Sequence, residues 1–192
     1  AVGFKNLMFS EGFDDFSSAV CYLENGVATI TCACAEVGQG FVTLAQQITR
    51  EILGVEEVIL APAATETVGS AGSTSASRQT WMSGGAVQKA CEEVRVQLLQ
   101  RLAEEHEMNR DDLVLVEGQA LSLNGDFSIN LDEATAKPLE ARVEYRHAPT
   151  FPLDENGQGD AHVSFAFAAH RAVVDVDPEL GLVKVVELVT SQ

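Results

Sequence analysis

The chain has few basic residues, few aromatic residues and no long apolar run, and these shortages exclude several classes of function. Its 192 residues include 12 Lys and Arg against 29 Asp and Glu, which gives a net charge of −17. Such a surface repels nucleic-acid backbones and anionic lipid headgroups. No apolar run reaches bilayer length, and the first 20 residues carry no signal-peptide pattern. We therefore expect a cytoplasmic protein with no nucleic-acid partner and no membrane partner.

Common catalytic and metal-binding motifs are also missing. There is no Gly-x-Ser-x-Gly elbow, no Walker-type loop and no helical histidine pair. Without an export signal, the four cysteines predict no disulfide framework. Cys32 and Cys34 fall on one face of the β-type run "VATITCAC"; half a metal site is the alternative interpretation. We interpret Glu36, Asp175 and Asp177 as solvated edge or turn residues.

Turn signals and periodicity divide the first two thirds of the chain into strands and helices. Asn25-Gly26 predicts a hairpin between strands at residues 19–23 and 27–34. "FVTLAQQITREIL" predicts a helix that buries Val42, Ala45, Thr49 and Ile52 and stops at Gly54. "VEEVILAPA" predicts a strand. A longer helix is indicated by apolar residues at i+4 spacing: Ala86, Ala90, Val94, Leu98 and Leu102.

The remaining third has more strands, and the whole predicts an α+β fold. A second Asn-Gly turn at Asn124-Gly125 joins β-type runs, "LEARVEYR" predicts a strand, and a turn at residues 177–181 joins two final strands. Mixed and antiparallel strands with two main helices packed on the sheet are expected. Residues 147–161 are rich in Pro, Gly and Asp, and predict a linker between lobes at 1–146 and 162–192.

Two loops share one design: a strand ends, small polar residues follow, and a helix begins. They lie at residues 36–40 and 69–83. Glycines let a ligand approach the backbone closely, and a helix N-terminus carries partial positive charge. Hydroxyls and the donors of Arg78 and Gln79 add directionality. Phosphate, a nucleotide or a pterin-like heterocycle would suit these loops; plain surface loops are the alternative.

Ordered motifs over most of the chain resemble one protein family. They are Gly38-Gln39-Gly40, then "SRQT" and "GGAV" before the long helix, and "VDVDPELGLVKV" near the end. In this order and spacing they are similar to the molybdopterin-binding domain of the xanthine dehydrogenase and aldehyde oxidase family. This resemblance covers the chain from about residue 19 onward, with residues 110–153 the least diagnostic.

The resemblance implies a molybdenum hydroxylase, an oxidoreductase. Such enzymes hydroxylate a purine or other N-heterocycle, or an aldehyde, with oxygen from water. They use a molybdenum–molybdopterin cofactor and pass electrons through iron–sulfur clusters, usually to FAD, on other domains or subunits. By the same resemblance, the cofactor-binding residues would be Gly38, Gln39, Gly40, Thr74, Ser75, Ala76, Ser77, Arg78 and Gln79.

Departures from the family pattern predict a fragment. The family's catalytic glutamate lies in a Gly-x-Gly-Glu loop, which is absent here. We therefore assign no catalytic residue and expect the isolated chain to be inactive and to bind cofactor poorly. Expected partners are the rest of the molybdenum subunit and the iron–sulfur and FAD domains or subunits. An exposed apolar face would favour a homodimer. The alternative is a non-catalytic α+β interaction module or partner subunit that shares the fold.

Overall fold

A computed structural model describes residues 2–7, 15–62, 69, 72–161 and 163–191. Contacts divide the chain into two compact units, Asp15–His147 and a second made of Ala1–Asp14 with Ala148–Gln192. In chain order the elements are β1 (Val2–Leu7), β2 (Phe16–Glu24), β3 (Val27–Cys32), α1 (Phe41–Leu53), β4 (Glu57–Leu60), α2 (Gly84–Glu105), β5 (Leu113–Val116), β6 (Gln119–Ser122), β7 (Ser128–Asn130), α3 (Leu131–Ala134), β8 (Leu139–Arg146), β9 (Ser164–Asp177) and β10 (Leu182–Ser191).

A four-stranded sheet in the order β4-β3-β2-β8 forms the base of the Asp15–His147 unit. β2 and β3 pair antiparallel across a two-residue turn, in which Asn25 and Gly26 have φ of 49° and 74°. Asn-Gly tolerates positive φ at both positions, which explains why the sequence turns here. β3 and β4 pair in parallel through the crossover helix α1, whereas β8 runs antiparallel to β2. The sheet is therefore mixed.

The two main helices bury their apolar faces with the sheet in one core. α2 contacts β2 and β8, and α1 packs on α2 and β4. The i+4 stripe predicted for α2 is confirmed, since all five of its residues are buried. The α1 stripe differs from the prediction at its two ends: Ala45 and Thr49 are buried as predicted, but Phe41 and Leu53 are buried in place of Val42 and Ile52. Among the described residues, no helix has both the length and the apolar character to cross a bilayer.

A small antiparallel sheet, β5-β6-β7, completes this unit. It contacts the end of α1 through Gly54, which adopts φ of 66° as the predicted helix stop. The Gly54 carbonyl accepts a hydrogen bond from the Gly118 N–H at 2.7 Å. The backbone of Leu115 and Val116 lies so near Gly54 that a side chain there would overlap it. A close backbone approach therefore fixes this sheet on the helix terminus.

The second unit contains an antiparallel sheet in the order β1-β9-β10. Asp177 closes the predicted β9–β10 turn by accepting the N–H groups of Glu179 and Leu180, each at 3.0 Å. Directly paired residues share one face of a sheet. On one face of this hairpin, an exposed apolar strip runs through paired positions: Ala172 with Leu188, Val174 with Val185 and Val176 with Val183.

The α+β prediction is confirmed, while the compact units differ from the predicted lobes in two respects. β1 pairs with β9, so the first residues join the C-terminal unit instead of the lobe that precedes them in sequence. The segment 148–161 also falls in that unit. His162, the first residue of the predicted second lobe, lies outside the described residues, as do Ser70 and Ala71 of the second loop.

Candidate cofactor-binding site

The two loops of the Asp15–His147 unit lie at the same end of its four-stranded sheet, where the central strand β3 ends and the central strand β2 begins. The first loop begins a few residues after Cys32, the last residue of β3. Cys32 pairs with Ala19 near the start of β2, so this loop lies beside the start of β2. The second loop reaches the same end of the sheet, because Arg78 binds Asp15, the residue directly before β2. The helices also meet here: a Cβ on Gly84 would lie 3.6 Å from a methyl group of Leu44, one turn into α1.

The Gly-Gln-Gly loop is folded by its own glutamine. Gly38 and Gly40 have φ of 97° and 83°, a region that favours glycine. The Gln39 Oε1 accepts the Val37 N–H at 2.7 Å, and Nε2 donates to the Ala35 carbonyl at 2.8 Å. The side chain of Gln39 thus closes the loop on itself, while residues 36–40 all remain exposed to solvent.

Glu36 caps α1, a role that the interpretation of a solvated edge residue missed. Its carboxylate accepts the N–H groups of Gly38, Gly40 and Val42 at 2.7, 3.1 and 3.0 Å. These hydrogen bonds, with that of Val42 the strongest influence, lower the pKa of Glu36. The chain therefore supplies its own anion to the positive end of this helix.

Acidification is expected to release this cap. The folded-state pKa of Glu36 lies below the ordinary value of 4.5. The carboxylate therefore contributes its stability above that value, and the contribution is lost as the pH falls through the lowered pKa. Hydrogen exchange of residues 37–42 at pH 7 and pH 3 measures the effect. Glu36→Gln should weaken protection at pH 7 and reduce the change on acidification.

Glu93→Gln is the matched control for the Glu36 experiment, because Glu93 is exposed on the outer face of α2. It should leave exchange at residues 37–42 unchanged. Protection in Glu36→Gln equal to that of the unchanged chain at pH 7 would show that the cap contributes nothing to the loop.

The second loop presents backbone donors to solvent. Residues 72–77 are all exposed, and Ala76 has φ of 46°. A turn is closed by the Arg78 N–H, which donates to the Ser75 carbonyl at 3.0 Å. Within the part of the chain that the structure describes, the N–H groups of Ser75, Ala76 and Ser77 have no hydrogen-bond acceptor. With the hydroxyls of Ser75 and Ser77, they form a donor set that fits an anionic, oxygen-rich group.

Arg78 and Gln79 lie behind this loop, with 5% and 4% of their surface exposed. The Gln79 Nε2 donates to the Ser73 carbonyl at 3.2 Å and to the Thr74 hydroxyl at 3.4 Å. A π-helical turn, Gln79–Ser83, then leads into α2. In the described structure both side chains support the loop; their direct contact with a cofactor stays a prediction, as it does for the other seven residues.

Cys34 lies between the two loops. Its Sγ is 3.9 Å from the Gln39 Nε2, and its surroundings include Arg78. Burial, followed by the charges of Cys32 and Glu36, raises the pKa of Cys34 to about 11, so the thiol is neutral at pH 7. All four cysteines are free and buried. No group of three or more metal-ligating side chains occurs in the described ranges.

Comparison with known proteins identifies the family. A family model described as the molybdopterin cofactor-binding domain matches residues 1–192. The chain belongs to this family. The large subunit of nicotine 6-hydroxylase from Paenarthrobacter nicotinovorans is 31% identical to this molybdopterin cofactor-binding domain over 169 residues, 83% of the domain and 20% of the relative. Subunit gamma of the 6-hydroxypseudooxynicotine dehydrogenase complex, from the same organism, is 29% identical over 196 residues. This match covers 99% of the domain and 24% of the relative.

Solved structures agree with this assignment at the level of fold. The Cu,Mo-containing CO dehydrogenase superposes with a TM-score of 0.74 at 17% identity, over 98% of the domain and 25% of that chain. Quinoline 2-oxidoreductase from Pseudomonas putida 86 superposes with a TM-score of 0.73 at 19% identity, over 98% of the domain and 26% of that chain. The family model and the nicotine 6-hydroxylase relative, together with this shared fold, confirm the resemblance to molybdenum hydroxylases. The molybdopterin cofactor-binding domain described here spans about a fifth to a quarter of the length of these relatives.

Sequence reasoning missed three buried polar residues at the site: Asp15, Ser17 and Ser83. A signal was present for two of them. Alternation along β2 puts Asp15 and Ser17 on the same face as the buried Ala19 and Cys21. Polar residues on the core side of a strand need partners, which indicates a buried polar network near the strand's start.

Proposed function

We propose that this chain is the cofactor-binding part of a molybdenum-dependent oxidoreductase that hydroxylates an N-heterocycle. Support for the substrate class comes from the names of its relatives, since nicotine and quinoline are both N-heterocycles. An aldehyde is the second candidate. It is favoured by an aldehyde oxidoreductase from Desulfovibrio desulfuricans, which superposes with a TM-score of 0.60 at 21% identity.

The proposal rests on one observation: two strand-to-helix loops lie near each other, and the second presents the backbone N–H groups of Ser75, Ala76 and Ser77 to solvent. Gly38, Gln39 and Gly40 would hold the molybdenum–molybdopterin cofactor from one loop. Thr74, Ser75, Ala76 and Ser77 would hold it from the other, through N–H groups and hydroxyls. When bound, that cofactor supplies the two-electron oxidation chemistry. The residues of this chain bind and orient it.

Other parts of the enzyme are needed for turnover in this proposal. The relatives are named as subunits, and this chain matches about a fifth to a quarter of each. Iron–sulfur and FAD groups would be held by other domains or subunits. The exposed apolar strip on β9–β10 supports burial against another polypeptide surface, which in the isolated chain would be a second copy. Alone, the chain would bind cofactor weakly and be inactive.

Substituting Ala76 tests whether the second loop holds the cofactor. Proline removes the Ala76 N–H and requires a φ near −65°, whereas the loop needs +46°. In the full-length enzyme purified with its subunits, we expect Ala76→Pro to lower the molybdenum content at least about tenfold. Metal analysis and the fluorescence of the oxidised pterin measure the loss.

Ala76→Gly is the matched control, because glycine keeps the N–H and accepts positive φ without strain. It should retain the metal and the pterin. Full molybdenum content in Ala76→Pro would contradict the role of this loop. If the enzyme without any substitution carries neither molybdenum nor pterin, the alternative function, a non-catalytic interaction module, is favoured over the cofactor-binding function.

A further inference from the structure

Asp15 forms a buried ion pair with Arg78, and neither the family match nor the relatives' names assign it a role. Its two carboxylate oxygens accept from Nε and Nη2 of Arg78, both at 2.6 Å. The exposed fractions of the two side chains are 4% for Arg78 and 10% for Asp15. Two parallel hydrogen bonds fix the plane of the guanidinium as well as its position.

Arg78 transmits this fixed geometry to the second loop. Its Nη1 donates to the Ser73 carbonyl at 3.2 Å, and its Nη2 also donates to the Phe16 carbonyl at 3.4 Å. The guanidinium thus joins the start of β2 to the first residues of the loop. Gly72 passes so close that a Cβ there would lie 2.7 Å from Nη2, so the backbone follows the surface of this group.

A second connection runs parallel to the first. The Ser83 hydroxyl donates to the Gln79 Oε1 and lies 3.0 Å from the Ser17 hydroxyl, and all three residues are buried. Gln79 in turn binds the Ser73 carbonyl. Both connections therefore converge on Ser73, two positions before Ser75, the first residue with an outward N–H group.

We propose that Asp15 is a positioning residue for the cofactor loop. It orients Arg78, Arg78 holds the Ser73 carbonyl, and the N–H groups of Ser75, Ala76 and Ser77 are thereby kept in one arrangement. This inference rests on the proposed function. A buried ion pair is weak evidence for stability, because an apolar pair of similar volume is often as stable. Its geometric specificity is what an apolar pair cannot reproduce.

The double variant Asp15→Leu/Arg78→Met separates positioning from folding. It should fold, as judged by the midpoint of thermal unfolding, because the buried pair is replaced by apolar side chains. In the cofactor-free enzyme, we expect amide hydrogen exchange in residues 72–77 to accelerate at least about tenfold. In the enzyme purified after growth with molybdate, we expect molybdenum and pterin occupancy to fall by a similar factor.

Two single variants complete the test. Asp15→Asn keeps the shape of Asp15 but removes its charge, and should also accelerate exchange in the loop. Asp111→Asn is the matched control, because Asp111 pairs with Arg110 at an exposed position. It should alter neither exchange nor occupancy.

The possible results separate this inference from the proposed function. Unchanged exchange in residues 72–77 of the double variant would overturn the positioning role, whatever the occupancy. Accelerated exchange with full occupancy would overturn it too, because the cofactor would not need the held loop. Absence of molybdenum from the unchanged enzyme would instead overturn the proposed function, while the exchange result would still report on Asp15.

Discussion

Gly54→Ala is expected to destabilise the Asp15–His147 unit by about 3 kcal/mol. Two costs combine. Gly54 has φ of 66°, which disfavours any other residue. A Cβ there would also lie 2.7 Å from the Val116 nitrogen and 2.8 Å from the Leu115 carbonyl carbon. Because these are backbone atoms of a paired strand, β5 would have to move as a whole.

Denaturant unfolding followed by fluorescence measures this loss, since Trp81 is the single tryptophan of the chain and belongs to the Asp15–His147 unit. Gly125→Ala is the control: Gly125 has φ of 79°, but a Cβ there would meet open space, with no other described residue within 4 Å apart from its chain neighbours. It should cost only about 1 kcal/mol. Equal losses in the two variants would show that the close approach of β5 contributes nothing.

Leu98→Ala is expected to cost about 2–5 kcal/mol, because it leaves a cavity between α2 and the sheet. Leu98 is fully buried in the main core. The same helix also supports the site, since the second loop leads into its first turn. Fluorescence-monitored unfolding again gives the free energy of unfolding of this unit.

Val96→Ala is the comparison for Leu98→Ala, because Val96 is 47% exposed on the same helix. Its cost should stay within about 0.5 kcal/mol. If Leu98→Ala unfolds at the same denaturant concentration as Val96→Ala, α2 does not pack on the sheet as described.

Local signals predicted the elements well. Asn25-Gly26 predicted the hairpin because its residues accept the positive φ that the turn requires. Gly54 predicted the end of α1 for the same reason. The i+4 stripe of α2 predicted its buried face because 3.6-residue periodicity places those positions on one side. Each signal lies within a few residues of the feature that it predicts.

Features that join distant residues were not predictable in this way. Asp15 and Arg78 are 63 positions apart, and no local pattern links them. Two local features also lack a clear signal. An exposed acidic residue in a loop usually contacts only solvent, yet the exposed Glu36 accepts hydrogen bonds from three backbone N–H groups of the loop and helix start that follow it. The π-helical turn at Gln79–Ser83 adds a residue to the helical repeat without a sequence signal of its own.

The neighbours of β2 have a consequence for the order in which the domain folds. β2 pairs on one side with β3, across a two-residue turn, and on the other with β8, where Phe16 lies opposite Arg146. The first pairing is local and fast, whereas the second must close a loop of more than a hundred residues and is slow. Asp15 directly precedes Phe16. The strand end that holds Arg78 and the second loop therefore acquires its second neighbour only after nearly the whole Asp15–His147 unit has been synthesised.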